Sequence, residues 1–259
     1  MTGEHPESPA SDPSAGTVEM VPVELTVLGG TLRATIPVPR GATTPGAMLD
    51  VFRGVAEAVI HLSVSSVQRQ GRAISCRAGC GACCRQLVPI SETEARDLIA
   101  YVEGLAEPRR SEIKSRFARA VERLDTAGMR DLLMAPWTQP VDAARAAGVE
   151  YFRLGIPCPF LENESCGIHL RRPIICREYL VTSPAERCAN LDGVDGVRIP
   201  RRASIALNHL GQDPARSHTR SVPLTMIFEW AKTAQPPPPP RPGAQIAREF
   251  LHLLDRTGG

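Results

Sequence analysis

Four of the eight cysteines, Cys76, Cys80, Cys83 and Cys84, occupy nine consecutive residues, where even spacing along 259 residues would put fewer than one. Cys158, Cys166, Cys176 and Cys188 follow. Three chemistries compete for such a set. A disulfide framework suits small secreted chains, whereas this chain is long enough to bury a core. It also opens Met1-Thr-Gly-Glu-His-Pro-Glu, without the basic and then apolar stretch of a leader. Isolated buried cysteines behave as small apolar residues, but four in nine, flanked by Arg77, Gly79, Gly81 and Arg85, are no core pattern. Thiolate coordination of zinc or iron is left, because several thiolates around one cation stabilise each other's deprotonation.

The neighbours of the cysteines support a ligand loop. Gly79 and Gly81 permit tight backbone with φ > 0 beside Cys80. Arg77, Arg85, Arg171, Arg172 and Arg177 are placed to lower thiol pKa values and offset thiolate charge. Cys83 and Cys84 are adjacent and so point in different directions. Two nearby sites, a polynuclear site, or one ligand beside one structural thiol all answer that constraint. His169, three residues after Cys166, has zinc-like spacing but reads first as a surface histidine, and Glu178 and Tyr179 beside Cys176 could face a site.

Cys76-Arg-Ala-Gly-Cys80-Gly-Ala-Cys83-Cys84, Pro157-Cys158-Pro-Phe-Leu-Glu-Asn-Glu-Ser-Cys166-Gly-Ile-His169 and Arg172-Pro-Ile-Ile-Cys176-Arg177 resemble the YkgJ-type cysteine-cluster family over residues 70 to 190. The resemblance implies a zinc- or iron-chelating domain with eight characteristic cysteines. Some of its members carry the label flagellin lysine N-methylase and others iron-sulfur oxidoreductase. It therefore implies metal ligation by Cys76, Cys80, Cys83, Cys84, Cys158, Cys166, Cys176 and Cys188 and leaves open whether the chain is an enzyme. Cys76-x3-Cys80-x2-Cys83 also has the spacing with which radical S-adenosylmethionine enzymes hold a [4Fe-4S] cluster. Ala82 stands where those enzymes commonly have an aromatic residue, and their alternating strands and helices are missing. No phosphate-binding glycine loop and no nucleophile elbow occurs.

The elements that must position these residues are mostly helical. Val21–Leu28 and Thr31–Val38 alternate around Gly29-Gly30 as a β-hairpin. Met48, Phe52, Val55, Val59 and Leu62 mark a helix ending near Gln70, before Gly71. Ser91 and Glu94 form a capping box that opens a second helix. A third follows Pro108 with Ile113, Phe117, Val121 and Leu124 on one face. From Met134 to Gly155, Pro136 and Pro140 interrupt any helical reading, and Pro173 then opens a short helix around Cys176. Val222–Lys232 and Ala244–Asp255 read as helices, separated by the stiff spacer Pro236–Pro240.

The expected architecture is mainly α (α+β), a helical protein with an N-terminal hairpin and a central cysteine-rich metal-binding region. Residues 1–19 read as a disordered tail and 20–234 as a single globular domain carrying the cysteine cluster at about 70–190. A Pro-rich linker, 235–243, and a C-terminal helix, 244–259, complete the chain. Thirty basic residues, of which only Lys114 and Lys232 are lysines, balance 28 acidic ones, which argues against nucleic acid as the partner. No apolar run is long enough to span a membrane, so a cytoplasmic protein is expected. Its partners are a metal ion and, through the proline run, a protein.

Overall fold

The computed structural model describes residues 17–135, 138, 140–190, 192–210, 212 and 221–258. Most of the expected tail and Pro136 lie outside them. Strand β1 (Val18–Val27) takes in the last two residues assigned to that tail and pairs antiparallel with β2 (Gly30–Pro39). Its inward residues Val21, Val23, Leu25 and Val27 are buried. The hairpin tip is shifted by one residue from the expected Gly29-Gly30. Leu28 and Gly29, at φ +48° and +81°, form the turn, and Gly30 already pairs with Val27. Positive φ at both central positions matches the strand twist. Gly30 is needed for a different reason, since a Cβ there would lie 2.9 Å from Leu62 Cδ2.

After the short β3 (Ala42–Thr43), helix α1 (Leu49–Arg69) buries Phe52, Val55 and Val59 at the predicted spacing. The cysteine loop leads into β4 (Pro89–Ile90) and then into α2 (Glu92–Glu103), where both halves of the Ser91–Glu94 capping box form. Helices α3 (Arg109–Thr126) and α4 (Arg130–Met134) follow. The stretch read as ambiguous contains α5 (Val141–Arg153), with Pro140 at its N-cap. Proline there starts a helix, because its missing N–H is one the helix would leave unbonded anyway. Next come the two-residue strands β5 (Leu161–Glu162) and β6 (Ser165–Cys166), and α6 (Ile174–Glu178) behind Pro173 as expected.

Helix α7 (Ala203–His209) has no counterpart in the sequence reading. The helix expected from Val222 begins later. Val222 and Pro223 form β7 against β4, and α8 (Ile227–Ala231) starts after a 3-10 turn. Pro223 has no N–H and holds the residue before it extended, which delays the helix. Strand β8 (Arg241–Pro242) pairs with β3, and α9 (Gly243–Arg256) buries Ile246, Phe250 and Leu254.

Three apolar clusters organise the elements. The largest joins the hairpin, α1, α7 and α9, with Phe52 against Phe250 at 4.4 Å between ring centroids. A second packs α2, α3 and α8 around Phe117, Phe160 and Ile168. The third joins α3, α4 and α5 through Leu124, Leu133 and Tyr151. The cysteine loops bridge these clusters. Among the described residues, no helix is long and apolar enough to cross a membrane.

Candidate metal centre

The segment bearing the first four cysteines is pinned to distant parts of the chain. Ser75 N donates to Val181 O at 2.9 Å and Ser75 Oγ to Thr182 O at 3.1 Å. Arg72 reaches Thr182 and the Asp195 carboxylate. Gly79 N donates to Ser165 Oγ at 3.1 Å, beside Cys166. Cys83 and Cys84 ride on a 3-10 turn, Ala82–Arg85, and Cys158 N donates to Cys84 O at 2.7 Å. A second 3-10 turn, Ala185–Ala189, packs Cys188 against that first one.

The two glycines do different work. Gly79, at φ +81°, takes up left-handed backbone as expected. Gly81 does not, since its φ is −92°. Close approach requires it instead: a Cβ would meet Glu164 Oε2 at 2.4 Å, Leu161 Cδ1 at 2.8 Å and Glu164 Cα at 3.2 Å. Glu164 clamps Arg85 through two hydrogen bonds of 2.9 and 2.6 Å. It sits in the β5–β6 turn, where Asn163 and Glu164 both have positive φ. The sequence reading missed this hairpin; Asn163 after the apolar Phe160-Leu161 was the available signal.

All eight cysteines are free and lie in one electrostatic neighbourhood. Cys83 acts on Cys76, Cys84, Cys158, Cys166, Cys176 and Cys188, while Cys80 acts on Cys76 and Cys188. The hydrogen bond from Cys84, helped by Arg172, holds the Cys83 thiol down at about 6 against its own burial. The same bond, with burial, pushes Cys84 up. Burial is the first cause that raises Cys76, Cys166, Cys176 and Cys188, and it pushes Cys158 up to about 12.

Of the flanking arginines, Arg172 faces the thiols most broadly, favouring the thiolates of Cys76, Cys83, Cys166 and Cys176. Arg177 acts on Cys166 while donating to Arg172 O at 2.9 Å and pairing with Glu57 at 2.5 Å. Arg85 has Glu164, and Arg77 pairs loosely with Glu186 at 3.6 Å. Arg171 turns away to Asp97 and Tyr101. His169 is exposed, in agreement with the surface reading. Glu178 points away from the thiols, accepting from Ser204 N at 3.1 Å and Ser204 Oγ at 2.5 Å at the start of α7. Tyr179 faces them, with Cys188 as a hydrogen-bond partner and Gln86 Nε2 donating to its hydroxyl at 3.0 Å.

Among the described residues, no three His, Cys, Asp or Glu side chains stand together as a ready-made metal site. The donor chemistry nevertheless fits zinc or iron. Buried thiols hold their protons unless positive charge replaces them, and one guanidinium cannot neutralise many thiolates. A soft cation can, once the thiols turn or their loops close around it.

Residues 75–193 match the model of the CxxCxxCC family, described as a "putative zinc- or iron-chelating domain". The matched span contains all eight cysteines and agrees with the resemblance read from the sequence. No curated protein and no solved structure matches the chain.

Proposed function

We propose that the chain chelates zinc or iron through the thiolates of Cys76, Cys80, Cys83, Cys84, Cys158, Cys166, Cys176 and Cys188. The observation that carries this reading is the gathering of free thiols from four stretches of chain around Cys83, within the span that matches a chelating family. Eight thiols exceed the four of a tetrahedral ion, and their surroundings divide them. Cys76 feels Cys80 and Cys83, and Cys188 feels Cys76, Cys80 and Cys83, whereas Cys84 feels Cys158 and Cys166 as well as Cys83, and Cys176 feels Cys158 and Cys83. On that basis we assign two four-thiolate sets, Cys76, Cys80, Cys83 and Cys188, and Cys84, Cys158, Cys166 and Cys176, with Cys83, which acts on members of both, counted in the first.

Zinc in these sets would be a structural cross-link, while iron as a [4Fe-4S] cluster would supply redox chemistry or an open iron for a cofactor. Within that reading Arg172 offsets thiolate charge and Tyr179 orients Cys188. An enzyme of the protein lysine N-methylase or oxidoreductase type belongs to the iron form. Eight unpaired cysteines favour a reducing compartment, the cytoplasm.

The test is metal and acid-labile sulfide content, with the visible spectrum, on protein purified without air. Stoichiometric metal that falls away in Cys80→Ser/Cys83→Ser supports chelation, and brown protein with labile sulfide selects the iron-sulfur form. Metal-free wild-type protein, or a double variant that keeps both its metal and its stability, would sink the proposal.

A further inference from the structure

A second site lies beside the cysteine loops, where α3 faces the segment from Ile156 to Leu161. There a cavity of about 360 Å³ is lined by Arg116, Arg119 and Arg123 on one side and by Ile156, Pro157, Cys158, Pro159 and Leu161 on the other. That volume lies in the range of small-molecule sites. The arginines recur at i, i+3 and i+7, which puts all three on one face of the helix.

Their charge is poorly compensated. Elsewhere on α3, Arg109 and Arg110 each pair with a carboxylate. In the cavity only Arg116 does, sharing Glu162 with Arg109 at 2.8 Å, and it also donates to Pro159 O at 3.3 Å. Arg119 donates to Ser115 Oγ at 2.6 Å and Arg123 to Leu154 O. Neither meets a carboxylate among the ion pairs of the described residues. Like charges three and four residues apart on a helix repel, so three aimed into one concavity are explained by an anion that completes it.

We propose that this cavity binds a small organic anion, with its carboxylate or phosphate held by the guanidinium groups of Arg119 and Arg123. Each guanidinium keeps spare N–H donors in a planar fork that matches two oxygens of such a group. The opposite wall offers, beside the Cys158 thiol, only apolar side chains and takes the apolar body of the ligand. Glu162 stays with Arg109 and Arg116 and rejects a second negative charge at that end.

The test titrates phenyl phosphate, benzoate and inorganic phosphate into the full chain by calorimetry at low salt. Phenyl phosphate or benzoate binds one to one, more tightly than inorganic phosphate. Arg119→Gln/Arg123→Gln weakens that binding by about tenfold or more, and the exposed control Arg145→Gln leaves it unchanged. Both arginines are exposed, so melting curves of the variants stay at the wild-type position; the single Arg119→Gln serves if the double variant melts early. The proposal is overturned by organic probes that bind no tighter than about 10 mM, by a double variant that binds as wild type does, or by inorganic phosphate that matches phenyl phosphate. A single-stranded oligonucleotide that binds more tightly than the small anions, and loses that binding in the same variant, would also overturn it.

Discussion

At Gly81 the cost of one added methyl can be read directly. The nearest obstacle is the Glu164 carboxylate, held by Arg85, followed by the Leu161 side chain and then the backbone of Glu164, which cannot swing aside as a free side-chain tip can. Gly81→Ala is therefore expected to destabilise the protein by about 1–3 kcal/mol and to loosen the Arg85–Glu164 clamp. The control is Gly41→Ala, where an added Cβ meets nothing within 4 Å and the change stays within about 0.5 kcal/mol. Urea unfolding of the two variants decides it, and equal midpoints would refute the close-approach account. The sequence announced a special glycine beside Cys80, but not why. The neighbour that fixes Gly81 lies more than 80 residues downstream, and local spacing carries no record of such a contact. Glu178 and Tyr179 show the same limit. Both flank Cys176 in sequence, yet only the tyrosine faces the thiols, and the glutamate caps α7.

Among the elements, α2 ties local signal to tertiary placement. Ser91 and Glu94 complete the capping box visible in the sequence, and Glu94 Oε1 additionally accepts from Ile174 N at 2.7 Å, the first residue of α6. Glu94→Ala removes a cap contribution of about 1 kcal/mol and leaves a buried N–H without a partner, costing about 1–3 kcal/mol more; thermal or urea unfolding reads the sum. Burial, the largest influence, raises the Glu94 pKa against its three donors and Arg53. A carboxyl whose folded pKa is raised contributes stability that is complete below its unfolded value and is lost as pH climbs through the folded one. Measured from about pH 4 upward, wild type should lose stability relative to Glu94→Gln, and parallel pH profiles would refute this. Helices α1, α3 and α9 were legible from their apolar spacing, and α2 from its capping box. Helix α5 was not, because Pro140 reads equally as a breaker or as a start, and α7 is only about two turns long and is held by Glu178 from elsewhere in the chain.

At the scale of the molecule, the short helix α6 is where the halves meet. Ile174 belongs to the cluster formed by the hairpin, α1, α7 and α9, and Ile175 packs on the cluster of α2 and α3. Cys176 joins the thiols, Arg177 pairs with Glu57 of α1, and Glu178 holds α7. The hairpin half has a continuous apolar core of its own, including the C-terminal helix, so Phe250→Ala should cost about 3–5 kcal/mol in an unfolding titration. Of the cysteine loops, the segment 156–168 is anchored in the other two clusters by Ile156, Phe160 and Ile168, while 75–86 buries no comparable core. Beyond these anchors the loops are held by a few backbone hydrogen bonds, the Arg85–Glu164 clamp and, on the proposed function, by metal. Removing that metal should unlock them without unfolding the hairpin half, because binding free energy of a site assembled from loops is folding free energy of those loops. After treatment with a thiol-compatible chelator, hydrogen exchange should accelerate in residues 75–90 and 156–188 while β1, α1 and α9 keep their protection. Uniform loss of protection would show that the metal supports the whole fold, and unchanged exchange in the loops would show that backbone bonding alone holds the thiols in place.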